Sequence, residues 1–248
     1  MSRTAPERGD LLPTAGRPER EAVRSMFTGI APRYDLLNAV LSLGEDRRWR
    51  RRAAQLARLP EGGTALDVCT GTGALARLLR SKVGARGRVV GVDMTEAMLA
   101  AAASAVPQVE FRLGDALHLP CADASFDAAT MAFGLRNIED HQGALRELLR
   151  VLRPGGRVVI LEFSTPDRFM RPLYGLYSRL AIPVVARALL GHSGAYQYLT
   201  SSISVFPAPP VVAGWLRQAG FEGVAFRRMS FGIVALHLGR RPELAPPA

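Results

Sequence analysis

Cysteine is scarce in this chain, lysine is nearly absent, and no apolar run is long enough to cross a membrane. Cys69 and Cys121 are the only cysteines in 248 residues. Cys69 sits in a stretch that reads as core, so no disulfide framework is expected and a reducing compartment fits. The four histidines, His118, His141, His192 and His237, show no ligand spacing, which argues against a metal centre. No uninterrupted apolar stretch approaches the roughly 18 residues of a membrane span, and no apolar leader is seen. The chain is therefore expected to be cytoplasmic, neither secreted nor membrane-spanning. No internal repeat is present. Of the 32 basic residues only Lys82 is lysine, and against 22 acids they leave a formal charge of +10. That bias reads either as an arginine- and alanine-rich genome or as attraction to an anionic surface, nucleic acid or membrane. At 48% hydrophobic and 22% charged, the composition is that of one ordinary globular domain.

The organising stretch is TALDVCTGTG, Thr64 to Gly73. Ala65, Leu66, Val68 and Cys69 read as a buried strand. The strand stops at a turn carrying Gly71 and Gly73. A helical pattern follows, with Leu75, Leu78 and Leu79 on one face. Strand, glycine turn and helix make the first half of a βαβ unit, and glycines there let a ligand approach the backbone. A glycine pair alone does not name the ligand. Asp67, inside the strand, would repel a pyrophosphate but suits an ammonium group, or else stabilises the turn. Asp93 ends the next strand, Arg88 to Val92, where a carboxylate can accept both hydroxyls of a ribose. An acid for an amine, glycines for close approach and an acid for a ribose suit S-adenosylmethionine better than NAD.

The remaining chain fits a doubly wound α/β sheet. Residues 1–18 read as a loose tail, and 19–239 as a single domain that begins with helices over 19–59. There Leu36, Leu37, Val40 and Leu41 share a face. Arg47, Arg48, Arg50, Arg51 and Arg52 surround Trp49, as a solvated helix face or as a membrane-surface or nucleic-acid contact. Thr95 is the expected N-cap of a helix to Ala105. Gln108 to Leu113 is a third strand, closed by Asp115 and Ala116. Asp115 suits an adenine amine, or is simply a turn aspartate. Phe126 to Phe133 is the fourth strand, expected beside the first. Arg136 and Asn137, in the loop after it, contact substrate or cap the helix over 143–152. Arg153 to Gly156 is expected to end that helix, and Arg157 to Phe163 to form a fifth strand. Residues 166–200 make an apolar helical insertion, with Pro183 expected to interrupt it. It serves as a lid or membrane-facing surface, or packs as core. The hydroxyls of Tyr196, Tyr198, Ser201 and Ser202 could bind a polar head group. A helix over 207–219 and a hairpin from Val224 to Leu238 end the domain. Residues 240–248 read as a second loose tail.

Several segments resemble the menaquinone/ubiquinone biosynthesis C-methyltransferases. They are MFTGIAPRYDLLN (Met26 to Asn38), LSLGEDRRWR (Leu41 to Arg50), FGLRNI (Phe133 to Ile138), RVLRPGG (Arg150 to Gly156), LEFS (Leu161 to Ser164) and AYQYLTSSI (Ala195 to Ile203). RPGG is widespread among class I methyltransferases, whereas FGLRN together with RYDLLN and YQYL is selective. The similarity runs from about Val23 to Leu238. It implies a class I methyltransferase fold, a Rossmann-like seven-stranded sheet with helices on both faces and a C-terminal antiparallel hairpin. It implies S-adenosylmethionine as donor, with Thr72, Asp93, Met94, Asp115 and Ala116 as cofactor contacts beside Asp67, Gly71 and Gly73. Tyr34 joins Tyr196 and Tyr198 as a candidate substrate contact. Cys69 stands where the wider superfamily usually has a glycine.

The implied reaction is methylation of a ring carbon of a prenylated hydroquinone, with no metal. Arg136 would stabilise the ring oxyanion and Asn137 would orient a hydroxyl. The proton acceptor stays open among Asp115, a tyrosine and water. A prenyl tail keeps the substrate in the bilayer at roughly 0.8 kcal/mol per carbon, so transient contact with a membrane surface is implied. Demethylmenaquinol is favoured over a ubiquinone precursor because the arginine-rich chain and CTGTG turn look like those of menaquinone-only bacteria. An RNA methyltransferase and a non-catalytic cofactor-binding partner are the alternatives. No nucleic acid is expected, because no RNA-binding module accompanies the domain.

Overall fold

The computed structural model describes residues 19–190 and 194–243. Within them the chain begins with three helices, α1 (Arg20–Ile30), α2 (Tyr34–Leu41) and α3 (Glu45–Leu56). The alternating part follows as β1 (Thr64–Val68), α4 (Ala74–Val83), β2 (Arg88–Asp93), α5 (Glu96–Ala105), β3 (Glu110–Leu113) and β4 (Phe126–Ala132). It continues through α6 (His141–Val151) and β5 (Leu152–Phe163) to the helices α7 (Arg171–Leu190), α8 (Gly194–Val205) and α9 (Pro209–Gln218), and ends in β6 (Glu222–Met229) and β7 (Val234–Arg240).

The strands form one seven-stranded sheet in the order β3-β2-β1-β4-β5-β7-β6. β3, β2, β1, β4 and β5 run parallel, and β7 inserts antiparallel between β5 and β6. This is the doubly wound sheet with a terminal antiparallel hairpin that the sequence leads one to expect. Successive residues of β1 feed opposite faces, as buried parallel strands require. Ala65 packs with Trp49, Leu75 and Leu79 from α3 and α4, while Leu66 and Val68 pack with Leu145, Leu148 and Leu216 from α6 and α9. Strand order reverses between β1 and β4, so their carboxyl ends open a crevice.

Four expectations change. The RPGG segment does not end α6 as a turn but lies inside β5, which starts at Leu152 paired with Phe126. Gly155, at φ 74°, carries the chain around there, and its N–H donates to the Arg241 carbonyl. Arg240 and Arg241 are likewise ordered into the fold rather than loose: Arg241 donates to the carbonyls of Leu149, Arg150 and Leu152. α7 runs unbroken from Arg171 to Leu190 across position 183, because one missing N–H costs a hydrogen bond without ending a long helix. Thr95 holds the N-cap position of α5 without a side-chain cap. Residues 1–18, 191–193 and 244–248, which include His192 and most of both expected tails, lie outside the described residues.

A polar clamp ties α3 to the turn between β6 and β7. Trp49 Nε1 donates to Ser230 Oγ at 2.8 Å, and the Ser230 hydroxyl donates to Glu45 Oε2 at 2.6 Å. Replacing Ser230 by Ala strands a buried indole N–H. The variant is expected to lose about 1–2 kcal/mol and a few degrees in Tm, read by thermal unfolding.

Candidate active site

The crevice is built by three turns at the ends of β1, β2 and β4. After Val68 the chain enters the left-handed region at Cys69 (φ 55°), Gly71 (φ 55°) and Gly73 (φ 79°) before α4 starts. Asp93 closes β2 and reaches across: its Oδ2 accepts Gly71 N–H at 2.8 Å and its Oδ1 accepts Thr95 N–H at 3.0 Å. Burial pushes its carboxyl above the ordinary range, against the pull of those N–H groups. Each oxygen keeps a lone pair for a ligand hydroxyl.

The loop after β4 is held just as closely. Phe133 takes φ 60°, which is strained for a bulky residue. Its N–H donates to the Leu161 carbonyl at 2.8 Å. Its carbonyl accepts Arg136 Nη1 at 2.6 Å and Asn137 Nδ2 at 3.1 Å. Gly134 follows because a Cβ there would lie 2.6 Å from the Cys69 Cβ. Arg136 then forms a buried ion pair with Glu162 of β5, Nη1 to Oε1 at 2.9 Å, while its own N–H donates to Oε2. Arg136 Nε is buried with no hydrogen-bond partner. Asn137 Oδ1 accepts the Tyr198 hydroxyl of α8 at 2.9 Å.

Two cavities meet at this loop. The first is lined by Gly71, Asp93, Met94, Asp115, Ala116 and Asn137, with Tyr34, Phe27 and Arg20 of the N-terminal helices over it. Arg20 Nη1 lies 3.0 Å from Asp115 Oδ2, bridging its mouth. The second, about 790 Å³, is walled by Leu41, Trp49, Phe163, Tyr174, Tyr177 and Ile203 among others. Asn38 Nδ2, buried and without a partner, belongs to a residue of its wall. Phe133 borders both cavities, so one strained side chain stands between the two chambers.

Several expected site residues stand elsewhere than the sequence suggests. Asp67 is not on a cavity wall. It is 1% exposed, and its two oxygens accept the hydroxyls of Thr70 at 2.7 Å and Thr130 at 2.6 Å. It organises the turn from behind, and burial raises its pKa to about 6. Thr72 donates to Asp35 Oδ1 at 2.6 Å, so its hydroxyl anchors α2. Gly73 is a packing glycine, with Phe111 3.1 Å from where its Cβ would be. Tyr34 faces the first cavity rather than the second. Arg136 is directed to Glu162, and Tyr198 touches Asn137. Tyr196 lies in α8, but its side chain is outside the described residues. Ser201 and Ser202 spend their hydroxyls on carbonyls within the helix. Glu162 and the lid residues Arg20 and Phe27 were missed. A lone acid in the apolar run VVILEF was the available signal for Glu162, since a buried charge requires a partner.

Residues 16–241 match the model of the ubiE/COQ5 methyltransferase family. The chain belongs to that family. It is an S-adenosylmethionine-dependent methyltransferase. It is 46% identical over 223 residues to a demethylmenaquinone methyltransferase of Thermus thermophilus, covering 88% of this chain and 100% of that one. It is 41% identical to a ubiquinone/menaquinone biosynthesis C-methyltransferase of Geobacter sulfurreducens, covering 89% of each. Its fold resembles that of an S-adenosylmethionine-dependent methyltransferase from Aquifex aeolicus, at TM-score 0.55 and 23% identity over 74% of this chain and 84% of that one.

A methyltransferase must keep stray nucleophiles away from its donor. Cys69, on the wall of the first cavity, meets that need. Burial, reinforced by Asp93 and Asp67, pushes its thiol well above the ordinary range, so it stays protonated and weakly nucleophilic.

Asp67 carries a sign that can be tested. Its folded pKa of about 6 lies above the unbound value of 3.8, so the native state holds this proton more tightly. The resulting penalty is absent below about pH 4, grows as pH rises, and is complete above about pH 6. Asp67→Asn keeps the acceptor for Thr130 and removes up to about 3 kcal/mol of that penalty. Urea unfolding is expected to show the variant at least as stable as the parent at pH 7, with a flatter profile between pH 4 and 6. Cofactor affinity is expected to stay within a few-fold, because the carboxylate faces threonines.

Proposed function

We propose that this methyltransferase methylates a ring carbon of a reduced, prenylated naphthoquinone, converting demethylmenaquinol to menaquinol at the cytoplasmic surface of a membrane. The observation that carries the reading is the meeting of the two cavities at Phe133. The names of the relatives support the substrate class.

The residues of the first cavity fit the donor. Asp93, held by Gly71 and Thr95, is placed for ribose hydroxyls, and Gly71 leaves the backbone open beside it. Asp115, whose Oδ1 takes the Leu117 N–H, suits the adenine amine. Met94 and Ala116 supply apolar wall. When bound, S-adenosylmethionine supplies an electrophilic methyl group.

The protein's own work is to hold the quinol and its developing negative charge. Arg136 Nε is a buried donor left without a partner, in a residue locked by Glu162. Arg136 lines neither cavity, so its charge favours a ring oxygen that gains charge at a distance rather than by contact. Asn137, fixed on one side by Phe133 and on the other by Tyr198, aligns the hydroxyl. Asn38 Nδ2 offers a buried, unpartnered donor on the wall of the second cavity. Burial raises the phenols of Tyr198 and Tyr174 above their ordinary range, so at neutral pH they keep their protons and act as hydrogen-bond donors. The aromatic and aliphatic walls of the second cavity exclude water from the ring and receive the first part of the tail.

Four exposed residues of α7, Leu173, Leu176, Leu180 and Val184, are each 57–69% exposed. Their spacing makes one apolar stripe. A lipid surface is a natural partner for it.

Labelled donor, offered with chemically reduced demethylmenaquinone or with a reduced prenyl-methoxybenzoquinone, tests the reading. Transfer to the naphthoquinol is expected. Transfer to the benzoquinol alone would overturn it in favour of the ubiquinone pathway. Asn137→Ala is expected to lower kcat at least tenfold, on the order of 1.4 kcal/mol or more, with donor affinity within a few-fold. Tyr198→Phe, which removes one neutral hydrogen bond, is expected to cost roughly two- to tenfold. Arg136→Ala is expected to fail as a folded protein, because a charge left alone in that site costs about 3–5 kcal/mol.

A further inference from the structure

The dense arginine run read from the sequence is divided by the fold. Trp49 and Arg50 turn inward: Arg50 pairs with Asp46 at 2.6 Å and stacks over the Phe133 ring at 5.3 Å. Arg48, Arg51 and Arg52 turn the other way. They meet Arg227 and Arg228 of β6, near the other end of the domain in sequence, across a groove of about 500 Å³. Five guanidinium groups line it, and no carboxylate does. Arg48 has Glu45 at 3.3 Å and Arg228 has Asp167 at 2.5 Å as counter-charges. Arg51, Arg52 and Arg227 have no ion pair among the described residues, Arg52 bonding only to the neutral Gln55.

Such a concentration of like charge repels itself unless an anion sits in it. Guanidinium forks match phosphate oxygens in geometry as well as sign. What surrounds the groove narrows the phosphate to one source. Arg48 and Ser230 belong also to the wall of the apolar cavity, so the groove adjoins that cavity directly. Leu43 and Phe231, both on the cavity's wall, are 81% and 60% exposed. Beyond them runs the exposed stripe of α7. A basic groove beside an apolar rim is the pattern of a lipid headgroup above acyl chains.

We propose that the groove between α3 and β6 binds the phosphate of an anionic phospholipid, seating the mouth of the apolar cavity against the bilayer. This deepens the substrate reading and rests on it for its purpose, but not for its test. Arg51→Gln and Arg227→Gln together remove two of the three unpaired charges without touching either cavity. At about 1 kcal/mol per charge near such a surface, the pair is worth roughly thirtyfold.

Co-sedimentation with vesicles of phosphatidylcholine containing phosphatidylglycerol is expected to show that loss, enlarged at low salt, and no change on pure phosphatidylcholine. In parallel, turnover of a short-tailed demethylmenaquinol in solution is expected to match the parent. Equal binding of parent and variant to anionic vesicles would overturn the proposal. So would stronger binding of the parent to a single-stranded oligonucleotide than to those vesicles, or saturation by inorganic phosphate without vesicle binding. If vesicle binding falls as expected but neither protein methylates the quinol, the substrate reading fails and the lipid site stands.

Discussion

The pairing of Arg136 with Glu162 is the interaction on which the two-cavity arrangement depends. Both side chains are buried, and Glu162 is fully removed from solvent. Its oxygens are fully used: they accept the guanidinium, the Arg136 N–H and the Phe163 N–H. An apolar pair of similar volume would cost less desolvation. It would not, however, tie the loop after β4 to β5 through backbone and side chain at once. That double tie fixes where Arg136 Nη1 meets the Phe133 carbonyl. The carbonyl in turn holds Phe133 in a left-handed conformation that a bulky residue adopts only under constraint. The ring that borders both cavities is therefore placed by a charge three residues further along the chain.

A second consequence concerns access. The first cavity is covered by α1 and the start of α2, and the second by α2, α3, α7 and α8. On the proposed reading, donor and acceptor thus lie under different helices. The Arg20–Asp115 bridge across the first is solvent-exposed on the arginine side, so it contributes little to stability and breaks easily.

Most strands and the placement of the crevice were legible in the sequence because each rests on local pattern, while the seven-stranded topology came with the family resemblance. Apolar runs broken by glycine turns gave β1 and β2, and a carboxylate at each strand end marked the open edge. What stayed hidden was the direction of individual side chains. Asp67, Thr72 and Gly73 belong to the same turn as Gly71, yet only Gly71 faces the cavity. A turn of that tightness sends successive residues to opposite sides. Pairings made by the tertiary fold were equally out of reach. Nothing in LGEDRRWRRR distinguishes Arg50, which turns in to Asp46 and Phe133, from Arg51, which turns out. The β6 arginines join the second set only once the sheet is closed. The end of β5 at Leu152 also escaped, since its pairing partner lies across the sheet in Phe126 rather than nearby in the chain.

The charge of the chain then takes on a specific meaning. Arginine excess alone reads as composition, and most of it is scattered over solvated faces. Two subsets are not. One is drawn inward, where Arg50 and Arg136 stack on Phe133 and Phe163 and meet the part-buried Asp46 and the buried Glu162. The other lines the groove outside the same wall. Lysine would serve neither place as well. A buried ammonium loses its proton readily and cannot both stack on a ring and fork to a carboxylate, while an exposed one offers phosphate only a point charge. The near absence of lysine, with which the sequence begins to look unusual, matches a protein that asks its cations for planar geometry on both sides of one cavity.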